Sequence, residues 1–123
     1  MNKVALIVDD SRVSRMMLGS LLKTADPEWQ IVEASNGLEA LSVAAEQQPS
    51  LICLDINMPV MDGFEAASQL RPLFPNATLL MLSANVQAAS RARAEELGVH
   101  FLAKPISPVI ARQALALWGS EHA

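Results

Sequence analysis

The sequence has one cysteine, few aromatic residues, no excess of basic charge and no long apolar run. Each lack excludes something. A lone Cys53 forms no internal disulfide and belongs to no C-x-x-C pair, which fits a reducing, cytoplasmic setting. The net charge of −4, with Lys and Arg scattered, argues against direct nucleic-acid binding. No apolar run approaches the ~18 residues that a bilayer-spanning helix needs, so no membrane insertion is expected. The start, MNKVALIV, runs straight into two carboxylates and does not read as a signal peptide. Linkers and low-complexity segments are also missing, so residues 1–123 are expected to form one domain. With aromatics at 4% and hydrophobic residues at 51%, the core must be built from Leu, Ile, Val, Ala and Met.

What is present is an alternation. VALIV at 4–8 is continuous apolar and rich in β-branched residues, the look of a strand buried on both faces. It ends on Asp9-Asp10. Ser11 then caps a helix to about Thr24, with Val13, Met16, Met17 and Leu21 predicted as its inner face and Leu18 and Leu22 widening it. Gln30–Ala34 reads as a second strand. Asn36, three residues before Glu39, opens a helix to about Gln47 whose stripe is Leu38, Leu41 and Ala45. Leu51–Leu54 is the third strand. Asp62 and Glu65 start a helix of about two turns, limited by Pro72 and Pro75. Ala77–Leu82 is the fourth strand, ending at Ser83. A helix over Val86–Leu97 stops at Gly98. Val99–Ala103 is the fifth strand, ending at Lys104-Pro105. Ser107-Pro108 opens the last helix, expected to run to about Trp118 and end at Gly119.

Five strands alternating with five helices predict an α/β fold with a parallel sheet covered on both faces. Every strand then ends at the same sheet edge, where ligands bind in such sheets. Asp9, Asp10, Asp55, Ser83 and Lys104 all fall at that edge. Three gathered carboxylates repel one another, and a hard divalent cation with oxygen ligands relieves them. Lys104 adds a compact positive charge and Ser83 a hydroxyl donor. A carboxylate nucleophile, metal, cation and donor are the parts of a phosphoryl-transfer site. Each residue alone has a plainer reading. Asp9-Asp10 can favour a helix N-terminus, Asp55 can be a loop carboxylate, Lys104 a solvated charge and Ser83 a cap. The functional reading rests on their coincidence.

IVDDS at 7–11, LDINMPVMDG at 54–63, LSA at 82–84 and AKP at 103–105 resemble the receiver (CheY-like) domain of two-component response regulators. The resemblance covers essentially the whole chain. It implies a flavodoxin-like (βα)5 three-layer sandwich of strand order 2-1-3-4-5. It implies that Asp55 accepts a phosphoryl group from a phosphohistidine on a sensor histidine kinase or histidine phosphotransfer protein. By the same resemblance Asp9, Asp10, Asp55 and the backbone carbonyl of Asn57 hold Mg²⁺. Lys104 pairs with the phosphoryl oxygens and precedes a cis peptide to Pro105. Ser83 and Phe101 act as switch residues. The Ser83–Ala89 region and the face made by the fourth helix, fifth strand and fifth helix carry the signal to a downstream protein. The resemblance implies no enzyme beyond self-catalysed phosphoryl transfer and autodephosphorylation.

Departures from the family's pattern are mild. Ser83 stands where Thr is commoner, and Phe101 where Tyr is frequent. Asn57 and Asn85 occupy positions that influence the lifetime of the phosphoryl group. An aspartyl-phosphate hydrolase of the haloacid dehalogenase type needs an acid/base two residues after its nucleophile. Asn57 stands there and cannot exchange a proton, a loss worth about 10²–10⁴ in rate. A flavin carrier needs a small polar phosphate loop after the first strand, where Asp9-Asp10 would repel the phosphate. A degenerate, docking-only receiver would lack Asp55, Asp10 or Lys104, and all three are present.

If residues 1–123 are the whole protein, a stand-alone receiver without an output domain, acting through protein contacts, is expected. The last helix carries Val109, Ile110, Ala114, Leu115, Leu117 and Trp118, which is more than one apolar face. It reads as half sunk in the core or, more sharply, as a partner or phosphorylation-dependent self-association surface. Cys53 reads as a small core residue, His100 as a strand or surface residue and His122 as part of a frayed tail.

Overall fold

The computed structural model describes residues 2–84 and 87–122. Its elements alternate: β1 Val4–Val8, α1 Arg12–Ala25, β2 Gln30–Ala34, α2 Gly37–Gln47, β3 Leu51–Asp55, then α3 Gly63–Leu73, β4 Thr78–Ser83, α4 Ala88–Glu96, β5 His100–Ala103 and α5 Pro108–Glu121. All four strand pairings are parallel and the order is β2-β1-β3-β4-β5. The chain therefore steps from β1 to β2 on one side, then crosses back over β1 to reach β3 on the other. This opens a crevice beyond their C-terminal ends, the place where such sheets bind ligands.

The core has two halves because side chains alternate across each strand. Leu6, Val8, Ile52, Leu54, Leu79 and Met81 meet α2, α3 and α4 on one face. Ala5, Ile7, Leu51, Cys53, Leu80 and Leu82 meet α1 and α5 on the other. Trp29 is fully buried in the second half and meets Trp118 edge-to-face at 4.9 Å. The Trp118 Nε1–H donates to Ser50 Oγ at 3.0 Å, so a large ring is buried without an orphaned donor.

Several expected faces are corrected. Val13, Met16 and Met17 are not the inner face of α1; they are 66%, 58% and 47% exposed. Of the expected residues the helix buries Leu18 and Leu22, with Gly19 beside them, and Leu21 is half-buried against the core. Gly19 lets the helix approach the sheet, since a Cβ there would lie 3.1 Å from Ile31 Cγ2. Likewise α2 buries Gly37, Ala40 and Ala44, while Leu38 and Ala45 are exposed and Leu41 is half-buried. Gly37 is needed because a Cβ there would lie 2.8 Å from the Met61 backbone oxygen, in the loop before α3.

Pro72 does not stop α3, which runs 11 residues with the proline in its last turn. Gly119 does not stop α5, which continues to Glu121. Tertiary bonds hold that last turn. Glu121 accepts from Thr78 Oγ1 at 2.5 Å and meets His100 Nε2 at 2.8 Å. His122 is no frayed tail: its ring nitrogens lie 2.9 Å from the carbonyls of Trp118 and Asn76, and the ring stacks on Trp118. The expected start of the fourth helix at Val86, and Asn85, lie outside the described residues. Gly98, at φ 72°, does end α4.

Candidate functional site

The edge formed by the ends of β1, β3, β4 and β5 holds the site. Asp9 follows β1 directly, and its backbone N–H still donates to Ala34 O at 3.2 Å. Its Oδ1 accepts the N–H of Ser11 at 2.9 Å, a local turn that aims the carboxylate before α1 begins. Asp10 is exposed beside it. Asp55 is the last residue of β3 and is 8% exposed. Carboxylate oxygens of Asp9, Asp10 and Asp55 all lie within 4.8 Å of one another. Lys104 Nζ reaches Asp9 Oδ2 at 3.2 Å and Asp55 Oδ1 at 3.3 Å. Ser83 is buried at the end of β4, and its carbonyl accepts the N–H of Lys104 at 2.9 Å. The Lys104–Pro105 peptide bond is cis. Asn57 is exposed in the loop after β3, and Phe101 is half-buried in β5.

The charges do not balance. Three carboxylates and one ammonium leave two net negative charges in a partly buried crevice. Burial pushes the Asp55 carboxyl above its ordinary range; Lys104 pulls it back, while Asp9 and Asp10 push it up again. Burial alone would lower the Lys104 ammonium, but Asp55 and Asp9 outweigh it and hold the group above its usual value. Both shifts are consistent, because Lys104 faces two anions whereas Asp55 faces two anions and one cation. A divalent cation would bring the sum to zero. The donor set, hard carboxylate oxygens from two strand ends, fits Mg²⁺.

Two supporting residues have roles that the motifs do not explain, although Gly63 closes the LDINMPVMDG stretch. Arg15 donates from Nη1 to Asp9 O at 2.6 Å and from Nε to Glu33 at 2.9 Å, tying the acidic corner to β2. Gly63 is the second. A Cβ there would lie 2.3 Å from the backbone oxygen of Asp55 and 2.8 Å from Ile56 Cα. Any side chain would push on the strand end that carries Asp55. Between them the loop holds Val60 at φ 69°, strained for a β-branched residue. Cys53, two residues before Asp55, is buried and its thiol is pushed up to about 12, so it is inert packing.

The model of the response regulator receiver domain matches residues 5–116. The chain belongs to the response regulator receiver domain family. Among relatives, the chemotaxis protein CheY of Thermotoga maritima is 37% identical over 116 residues, covering 94% of this chain and 96% of that protein. CheY of Listeria monocytogenes is 41% identical over 101 residues, covering 81% and 84%. Among solved structures, a CheX–CheY–BeF3–Mg²⁺ complex from Borrelia burgdorferi matches with a TM-score of 0.82 and 27% identity, covering 91% of this chain and 85% of that one. The protein is thus a phosphorylatable receiver of two-component signalling, with the flavodoxin-like fold of CheY. A receiver is a signalling domain, and its acidic pocket of Asp9, Asp10 and Asp55 suits a phosphoaspartate beside a metal. No helix among the described residues is long and apolar enough to cross a membrane.

Proposed function

We propose that residues 1–123 act as one receiver in which Asp55 is the phosphoacceptor and Asp9, Asp10, Asp55 and the Asn57 carbonyl hold Mg²⁺. The observation that carries this reading is the Lys104 ammonium bridging Asp9 at 3.2 Å and Asp55 at 3.3 Å inside a three-carboxylate cradle. A carboxylate oxygen of Asp55 attacks the phosphorus of a phosphohistidine. The new O–P bond forms as the donor's N–P bond breaks, and the electron pair remains on the donor imidazole. Bound Mg²⁺ supplies charge neutralisation for the crowded oxygens. Lys104 then leaves Asp55 to meet the phosphoryl oxygens, and Ser83 turns its hydroxyl to them. Phe101 and the face of α4, β5 and α5 report the change to a downstream protein. The phosphoryl group is later lost by the domain's own hydrolysis. With Asn57 where an acid/base would stand, that loss is slow enough to signal.

The donor is a histidine kinase or histidine phosphotransfer protein. The apolar patch of Val13, Met16, Met17, Leu21, Ile106 and Pro108 supports this. Val13 lies three residues past Asp10 and Ile106 two past Lys104, so the patch starts at the site on both elements. A protein bringing a phosphohistidine to Asp55 covers it.

Incubation with acetyl phosphate and Mg²⁺ should add one phosphoryl group by intact mass, and Asp55→Asn should abolish it. A label kept by Asp55→Asn sinks the assignment. Met17→Asp should slow transfer from a phosphorylated kinase by tenfold or more and leave acetyl phosphate labelling unchanged. Equal slowing of both would move the donor surface elsewhere.

A further inference from the structure

Among the described residues, helix α4 has few buried contacts. It buries one residue, Ala94, and its N-cap residue Gln87 makes no side-chain bond, whereas the N-caps of α1, α2, α3 and α5 all do. Its sequence, AASRARAEE, mixes alanines with charges and offers no apolar stripe. Two guanidinium–ring contacts tie it down instead. Arg91 Cζ lies 5.0 Å from the ring centroid of Phe101 in β5. Arg93 Cζ lies 4.4 Å from that of Phe64 in α3. Residues two apart on a helix point to opposite sides, so the two arms clasp α4 from both flanks.

The two rings differ in freedom. Phe64 is 6% exposed and sits inside the core, whereas Phe101 is half-buried at the core's edge. A phenyl ring has no hydroxyl to tie it to a neighbour. Its face can still attract a cation, and Arg91 occupies that position.

We infer that Arg91 is a latch: its guanidinium over Phe101 holds the ring half-exposed and α4 docked, and so sets how readily the state of Asp55 is felt at α4. The inference rests on the reading of Asp55 as acceptor and Phe101 as switch residue. An exposed cation–π contact biases a two-state equilibrium about two- to fivefold. Removing it raises the population of the other state, and with it the affinity of any ligand that selects that state. Arg91 is a positioning residue and touches no reacting atom. It is exposed, so its variants keep the fold.

The chain has three phenylalanines, Phe64, Phe74 and Phe101, so fluorophenylalanine labelling gives three ¹⁹F lines, assigned with Phe101→Leu. In the wild type the Phe101 line should shift on adding beryllofluoride and Mg²⁺. In Arg91→Met without ligand it should already lie part-way along that shift, and beryllofluoride should bind about two- to fivefold more tightly. Arg91→Lys, which keeps the charge, should fall between. If the free Arg91→Met line coincides with the wild type's and the affinity is unchanged, the latch is refuted while Asp55 stands. No beryllofluoride response in the wild type overturns the acceptor reading and the latch with it.

Discussion

Asp55 carries its charge where burial makes charge costly. Its carboxyl is raised above the ordinary value, first by burial and further by Asp9 and Asp10, against the pull of Lys104. The sign follows. A carboxyl raised on folding binds its proton more tightly in the folded state, so ionised Asp55 works against the fold at neutral pH. That burden lifts as pH falls through the folded pKa. Metal-free Asp55→Asn should therefore melt higher than wild type at pH 7, and the gap should close on acidification. Melts in chelator from pH 7 to pH 4 check this; a gap independent of pH would mean that the charge on Asp55 is not the cause. At this scale the sequence is eloquent about Asp9, Asp10, Asp55 and Lys104, because each follows a strand at the same edge. It does not say why Gly63, the end of the LDINMPVMDG motif, must be glycine, nor what Arg15 does. The need for glycine at 63 comes from the Asp55 backbone eight residues away, and Arg15 acts through Glu33 on β2. Neither relation is written in local pattern.

At the scale of the element, helices were easier to locate than to orient. Caps at Ser11, Asn36, Asp62 and Ser107 make the bonds their types suggest, so helix starts were legible. The buried face of α1 was not, because Leu, Met and Val occupy more than one side and the sheet accepts only the side with Gly19. Leu18→Ala should cost about 2–5 kcal/mol, whereas Met17→Ala should cost under about 0.5 kcal/mol. Urea denaturation of both variants checks the pair, and equal losses would reverse the assigned face. The apolar residues displaced from the core are the ones left beside the site. The last turn of α5 departs from the local sequence signal for the opposite reason. Gly119 weakens a helix locally, but the bonds of Glu121 and His122 to distant strands and loops outweigh it.

For the whole molecule, the acidic crevice is a product of topology. The order β2-β1-β3-β4-β5 sets the ends of β1 and β3 side by side, and β4 separates them from β5. Lys104 nevertheless spans back to both carboxylates. Two uncompensated negative charges make the fold a natural acceptor of a divalent cation. Millimolar Mg²⁺ should raise the melting temperature of the wild type, with the gain approaching RT ln(1 + [Mg²⁺]/Kd). Asp10→Asn should lose most of the gain and leave the metal-free fold unharmed, since Asp10 is exposed. A melt indifferent to Mg²⁺ in both proteins would remove the cation from the site. The sequence by itself determined the alternation of strands and helices, the shared edge of the reactive residues and the family that its four motifs resemble. Those are encoded in runs, caps and spacing. Only the tertiary structure decided which helix faces are buried, which glycines and arginines hold the site in shape, and how α4 is clasped. These depend on how closely two backbones approach, and no single stretch of sequence carries that distance.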